Sequence, residues 1–416
     1  MGVMRRRAFL HSGMLAAAGL STSAFTGSAA PRVVVAGGGF AGACCALQLR
    51  RLNPTIQVTL VDPEARYVTC PMSNEVLAAL RDLDSLTVSR AGLERAGVRY
   101  VHDHLASIDA DKRTARLGRG AALRYDRLVL APGIRLLYGT PEGYDAAAAQ
   151  RMPHAWLAGA QTGLLASYLH AMPDGGTVAI SVPAGLMRCP PGPYERASLV
   201  AYWLKQHKPR SKILLFDANN HFPRQDVFTD AWARLYPGMI EWIPPAQGGA
   251  VTRVDAEHGT LYNSGGAQRV DVANIIPPQA PGLLALNSGL ASAHGWCPVR
   301  PQSFESELAA NVHVIGDACI AGEMPKSASA ARSQARRCAA AIAAAFEGRD
   351  PAAADLDSVC YSLLDPNTAL AIHGHFTLTE GTLRQSPRAP EAAPDARYAA
   401  EAASWYADIR RDCFAA

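Results

Sequence analysis

The sequence predicts an α/β protein with two Rossmann-like dinucleotide-binding-type domains and a C-terminal α+β interface domain. Three observations predict it. A strand, glycine-rich turn and helix open at Arg32–Gly42, RVVVAGGGFAG. A second strand–helix–strand run lies between Thr177 and Asp217. A late apolar strand ends on Gly316 and Asp317, ahead of an alanine-rich helix from about Ala328 to Phe346.

In the first of these, Val33, Val34 and Val35 suit a short buried strand. Gly37, Gly39 and Gly42 follow at GxGxxG spacing. The first glycine permits a tight turn, the second lets a pyrophosphate approach the backbone, and the third lets helix and strand pack closely. Diphosphate charge then meets the free N–H groups of the helix start. The next strand, Ile56 to Val61, ends on Asp62, where a carboxylate accepts hydrogen bonds from a ribose. Strand, glycines and acid in register point to a bound dinucleotide.

Ahead of this unit, Arg6, Arg7, Phe9 and Leu10 form a twin-arginine pattern, with a short apolar run from Met14 to Leu20 and small residues at Ser28 and Ala30. The pattern reads as an export signal for residues 1–30, cleaved near Ala30, and places the protein in the periplasm. Removing Arg5, Arg6 and Arg7 lowers the formal net charge from +4 to +1, which gives nucleic-acid binding no electrostatic support. No long apolar stretch follows residue 30, so no transmembrane segment is expected in the mature chain. Nine cysteines are an odd number, so at least one is unpaired or otherwise bonded. No zinc-ligand spacing and no C-x-x-C-H occur, so no metal site and no c-type haem on this chain are expected.

The first part of the dinucleotide domain is expected over 31–144. Within it, YVTCPMSNE (Tyr67–Glu75) leaves the second strand as a loop that passes over the ring end of a cofactor. Pro71 stops regular pairing, and Asn74 is available to cap a helix beginning near Glu75. On its own, Cys70 reads as a small buried hydrophobe. Strands are expected at Val98–His102 and Tyr125–Leu130; the latter runs into Ala131, Pro132 and Gly133, the return crossing between two such domains.

A composition change at Pro141–Gln150 marks entry to the second domain, 145–285. Strands Thr177–Val182 and Lys212–Phe216 flank a helix over Ala197–His207. Where a phosphate loop would stand the chain reads PAGLMRCPPGP, and its prolines remove N–H donors. This argues against NAD(P)H as reductant. The loop presents Cys189 instead, with Arg188 beside it to favour a thiolate and Glu195 six residues on.

The chain returns to the first domain over 286–346. Asp317 after an apolar strand suits a bond to a ribitol chain, and the helix start places Lys326 near a flavin's pyrimidine edge. With the first half of the signature, this points to FAD rather than NAD. Residues 347–416 form a third unit holding Cys360, a Pro/Ala-rich stretch from Ser386 to Pro394, and a last helix around Tyr398–Asp412. That helix lacks a basic polar face, so docking onto protein is expected.

The runs CPPGPYERAS (Cys189–Ser198), YVTCPMSNE, VHVIGDACI (Val312–Ile320) followed by MPKS, and Cys360-Tyr361-Ser362 resemble the flavoprotein subunit of flavocytochrome c sulfide dehydrogenase. This family has the FAD/NAD(P)-binding, glutathione-reductase-like plan and is related to sulfide:quinone oxidoreductases. The resemblance runs from about Arg32 to the end, with departures at Pro71-Met72 and from Asn367 to Ala396. It implies that Cys70 carries FAD through a thioether to the 8α-methyl carbon. It further implies that Cys189 and Cys360 form a redox-active disulfide beside the flavin, that Glu195 handles protons, and that Trp405 lies close to the flavin. The other six cysteines, Cys44, Cys45, Cys297, Cys319, Cys338 and Cys413, read as structural or free thiols.

The implied activity is oxidation of hydrosulfide to sulfur or polysulfide, with electrons passing through the disulfide and FAD to a c-type cytochrome subunit. Haem is then expected only on that partner chain. Two further readings stand beside this one: a sulfide:quinone oxidoreductase, and a non-catalytic flavoprotein that supports periplasmic sulfur-oxidising proteins.

Overall fold

The computed structural model describes residues 1, 30–293, 295–351, 355–387 and 393–416. The twin-arginine pattern and most of the Pro/Ala-rich stretch lie outside the described residues.

Four parallel strands open the fold: β1 (Arg32–Ala36), β2 (Gln57–Asp62), β3 (Arg99–His102) and β4 (Arg127–Leu130). β1 is central, with Val35 opposite Leu60 on one side and Val129 on the other. Helix α1 (Phe40–Leu52) follows β1 and buries nine of its residues, Phe40 to Leu47 and Leu49, between the sheet and two helices from later in the chain.

The second sheet is all parallel: β5 (Thr177–Val182), β6 (Lys212–Asp217), β7 (Ile240–Ile243) and β8 (Val272–Ile275), in spatial order β7-β6-β5-β8. Between β5 and β6 runs α2 (Gly192–His207). It starts five residues before the expected Ala197, because Pro193 sits in its first turn, where a missing N–H costs nothing. Buried on both faces, the strands read as continuous apolar runs.

The chain then re-enters the first sheet through β9 (Cys297–Arg300), β10 (Glu305–Ser306), β11 (Val312–Val314) and β12 (Cys319–Ile320). The completed order is β12-β9-β10-β11-β4-β1-β2-β3. After β12, α3 spans Ala328–Phe346 as the sequence predicts.

The last unit is an antiparallel sheet of β13 (Leu356–Asp365), β14 (Thr368–Thr379) and β15 (Thr382–Gln385), followed by α4 (Ala396–Phe414). β13 packs on both α2 and α3, and α4 packs on α1 and β14. Two Rossmann-like α/β domains and a C-terminal α+β domain therefore make up the fold, as predicted. Docking of α4 onto protein is intramolecular: Phe414 sits 5.2 Å from Phe40 and 5.7 Å from Tyr67 by ring centroid. Among the described residues no helix is long and apolar enough to cross a membrane.

Cys44, Cys45, Cys297, Cys319, Cys338 and Cys413 are buried free thiols. They fall beside one another in twos: Cys44 with Cys413, Cys45 with Cys338, and Cys297 opposite Cys319 on paired strands.

Candidate active site

Between the first sheet, α2 and β13 lies a cavity of about 470 Å³. Gly37, Gly39, Asp62, Cys70, Gly133, Cys189, Glu195, Asp317, Cys360 and Trp405 all line it. Segments more than a hundred residues apart in the chain thus converge on one space.

The glycine turn is built for close approach. A Cβ on Gly37, where φ is +99°, would sit 2.2 Å from the Ala131 carbonyl oxygen, and one on Gly42 would sit 1.9 Å from that of Gly37. Gly42 therefore packs helix against turn and does not itself line the cavity. No side chain caps α1, whose N-cap is Gly39, so its first N–H groups are left for a phosphate. Gly133, also left-handed at φ +60°, has open space where its Cβ would be.

Asp62 closes this end. Its carboxylate accepts the Gly38 and Glu64 N–H groups and pairs with Arg90 at 3.1 Å. Arg90 is buried against the rings of Tyr67 and Tyr100. No sequence pattern marks Arg90; only the fold brings it across the glycine turn.

At the opposite end, Cys189 adopts the left-handed conformation, φ +53°, a strained choice for a residue with a side chain. Its N–H donates to the Lys326 carbonyl at 2.7 Å and its carbonyl accepts the Gly192 N–H at 2.8 Å, which together hold the turn. A Cβ on Gly192 would lie 3.0 Å from the Cys189 sulfur and 2.9 Å from the Trp156 ring, so a side chain there would press on the cysteine. Cys360 reaches the same cavity from the middle of β13 and shares a hydrogen bond with Ser327, the N-cap of α3. Both cysteines are free thiols in this structure.

Burial raises Cys189 well above the ordinary thiol range; Cys360 and Glu195 add to this, and Arg188 opposes it. Arg188 does favour the thiolate, as expected, but desolvation outweighs the neighbouring cation. The Arg188 guanidinium is instead bonded to the Trp156 carbonyl. Cys360 is pushed up to about 11 by burial, with Ser327 pulling it down and Glu195 pushing it up.

Glu195, on the first turn of α2, accepts from Asn74 Nδ2 at 2.8 Å and from the Leu363 N–H at 3.1 Å. Burial raises it to about 7 despite those two donors. Asn74 is not a helix cap: the short helix it belongs to, Ser73–Leu77, has Met72 at its N-cap and no side-chain cap bond. The Asn74 amide is spent on Glu195 and Arg196.

Cys70 faces the cavity from its loop, 4.0 Å from the Trp156 carbonyl, and Thr69 beside it bonds Tyr406 of α4 at 2.6 Å. Asp317 is raised by burial, with Arg188 and Lys326 opposing. Lys326 departs from expectation. Its ammonium donates to the carbonyls of Asp317 at 2.8 Å and Cys319 at 2.9 Å and lies 3.8 Å from the centre of the Trp296 ring. A flexible cation with three donors finds these carbonyls before it reaches the cavity, which it does not line. Trp405 does line it, half-buried, with its ring 6.0 Å from Tyr361.

The glycine cradle, the acid at the end of β2 and a largely apolar cavity fit a flavin dinucleotide. Residues 31–151 match a family model described as pyridine nucleotide-disulphide oxidoreductase. Residues 162–277 match the central part of the sulfide dehydrogenase [flavocytochrome c] flavoprotein chain, and 352–414 match flavocytochrome c sulphide dehydrogenase, flavin-binding. The mitochondrial sulfide:quinone oxidoreductase of Mus musculus is 23% identical over 323 residues, 73% of this chain and 68% of that protein. A sulfide dehydrogenase [flavocytochrome c] flavoprotein chain from Chlorobaculum thiosulfatiphilum is 62% identical over 45 residues, 11% of this chain and 94% of that sequence. Among solved structures, the sulfide:quinone oxidoreductase of Aquifex aeolicus superposes with a TM-score of 0.71 at 18% identity, covering 93% of each chain, which speaks for the shared fold.

Proposed function

We propose that this chain, which belongs to the superfamily of flavocytochrome c sulfide dehydrogenase and sulfide:quinone oxidoreductase flavoproteins, oxidises hydrosulfide at Cys189 and Cys360 and passes the electrons to FAD. The observation that carries this reading is the meeting of Cys70, Cys189 and Cys360, from three remote segments, in one cavity with the glycine turn.

Gly37, Gly39 and the start of α1 would hold the diphosphate, Asp62 a ribose, Asp317 the ribitol chain, and Cys70 the ring system through a thioether. FAD, when bound there, supplies a two-electron acceptor able to release electrons one at a time. In the oxidised resting chain, Cys189 and Cys360 are joined as a disulfide, the form that a hydrosulfide nucleophile can open. Hydrosulfide attacks one of the two sulfurs: the Cys189–Cys360 bond breaks, a new S–S bond leaves a persulfide on one cysteine, and the other departs as a thiolate. Over the cycle each hydrosulfide gives up two electrons and one proton and leaves as sulfane sulfur. Glu195, poised near neutrality between the two cysteine segments, takes the proton.

For the final acceptor, the long alignment with the mouse protein favours a quinone. A c-type cytochrome on a partner chain is the second reading, favoured by the two flavocytochrome-type matches over 162–277 and 352–414. Export by the twin-arginine route to the periplasm agrees with that second reading.

The test compares wild type, Cys189→Ser and Cys360→Ser, loaded with flavin, for sulfide-driven bleaching of the flavin and then for reduction of cytochrome c or a short-chain quinone. Bleaching in wild type and loss of turnover in both variants, with flavin retained, is expected. Wild type that sulfide does not bleach would point to the non-catalytic role, and the preferred acceptor separates the two enzymes.

A further inference from the structure

We infer that Asn74 is the positioning residue of Glu195, fixing its carboxyl group at the junction of the three segments that carry Cys70, Cys189 and Cys360. The inference rests on the sulfide-oxidising reading for its role in turnover and on geometry alone for its placement.

The orientation of the Asn74 amide is dictated by chemistry. Arg196 Nε, 3.0 Å away, can only donate, so the atom facing it is Oδ1 and the Nδ2 group must face Glu195. Arg196 cannot move to permit a flip. It is buried, and its other nitrogens bond Asn274 Oδ1 at 2.7 Å and the carbonyls of Ala155 and His154 at 2.7 and 3.2 Å. Asn74 in turn donates to the Gly192 carbonyl at 3.3 Å, which ties it to the turn after Cys189. Glu195 Oε1 is held from the far side by the Leu363 N–H of β13, three residues beyond Cys360.

One carboxyl group is therefore gripped by the Cys70 segment and the Cys360 strand while standing on α2, just past the Cys189 turn. Both of its oxygens accept N–H donors, which favour the charged form against the cost of burial. The charged groups that face it are Glu75, which opposes ionisation, and Arg196, which supports it; Cys189 and Cys360 feel its charge in return. Glu75 is itself paired with Arg81 at 2.6 Å. Taking away the Asn74 donor leaves burial and Glu75 less opposed, so Glu195 holds its proton to higher pH.

The test is the pH profile of sulfide-driven turnover in holo wild type, Asn74→Ala and Asn74→Asp. The limb governed by Glu195 is expected to move up by about one pH unit in Asn74→Ala. It should move further in Asn74→Asp, which keeps an acceptor for Arg196, loses the donor and adds a like charge. Rates that fall with the limb unmoved in both variants would show a merely structural residue and overturn the inference, as would Asn74→Asp lying below Asn74→Ala. The second readout does not depend on activity: infrared titration of the protonated carboxyl band of Glu195, assigned by its loss in Glu195→Gln. A band that shifts upward in both variants while sulfide fails to reduce even the wild type would keep the placement and sink the sulfide reading. An unshifted band sinks the placement.

Discussion

The N–H of Cys189 donates to the carbonyl of Lys326 at 2.7 Å, and this bond joins the loop of one Rossmann-like domain to the helix start of the other. The next residue, Ser327, contacts Cys360, and Ser329 accepts the Val359 N–H at 3.0 Å. The first turn of α3 is thus the frame on which both cysteine segments are hung.

Ser327→Ala should loosen that frame. Ser327 caps α3 by accepting the Ala330 N–H at 3.2 Å, and losing such a cap costs about 1 kcal/mol, measurable as a lower urea midpoint. The variant also removes the group that pulls Cys360 down, so alkylation of Cys360 in a Cys189→Ser background should require higher pH than with Ser327 present.

Gly42→Ala has no room. Its methyl group would meet the Gly37 carbonyl oxygen at 1.9 Å and the Ala131 methyl at 3.2 Å, prising α1 from the turn. A loss of about 1–3 kcal/mol in stability and a clear fall in the flavin-to-protein absorbance ratio are expected. Gly133→Ala, where the new methyl faces open space, should lose only the roughly 1–2 kcal/mol that a left-handed alanine costs and should keep its flavin.

Glu195 makes stability depend on pH in a stated direction. Its folded value, about 7, lies above the ordinary 4.5, so the folded state binds the proton more tightly than the unfolded one. Stability contributed by the protonated carboxyl is full at low pH and is lost as pH rises from about 4.5 to about 7. The loss amounts to a few kcal/mol at most. Glu195→Gln should flatten unfolding curves across that window; an unchanged slope would show that Glu195 titrates normally.

Cys70 gives a yes-or-no measurement. Denaturing the flavin-loaded protein should leave the flavin on the polypeptide, and Cys70→Ser should release it to the supernatant. Release from wild type would leave Cys70 as a cavity-lining thiol without a covalent role.

Local signals reach far into this chain because a phosphate-binding turn is made by neighbouring residues. The glycines, Asp62 at the end of β2, the strand before Gly316 and the whole of α3 follow from patterns within about twenty residues. The second Rossmann-like unit is legible for the same reason, and its prolines announce the missing phosphate loop. The start of α2 is misread because Pro193 looks like a breaker, whereas in a first turn it is harmless.

Side-chain assignments that depend on a distant partner could only be settled by tertiary structure. Asn74 has the sequence context of a cap, yet Arg196 and Glu195, more than a hundred residues away, offer it stronger charged partners. Lys326 stands where a cation could face a ring, but two carbonyls and Trp296 hold it elsewhere. Arg188 adjoins Cys189 in sequence, and burial still wins over its charge. By itself the sequence determined which segments bend, cross and bind phosphate, since these are properties of short-range backbone sterics. Which cysteines share a cavity, and at what pH their neighbours hold protons, was decided only by packing, since both depend on the distance and desolvation that remote segments impose on one another.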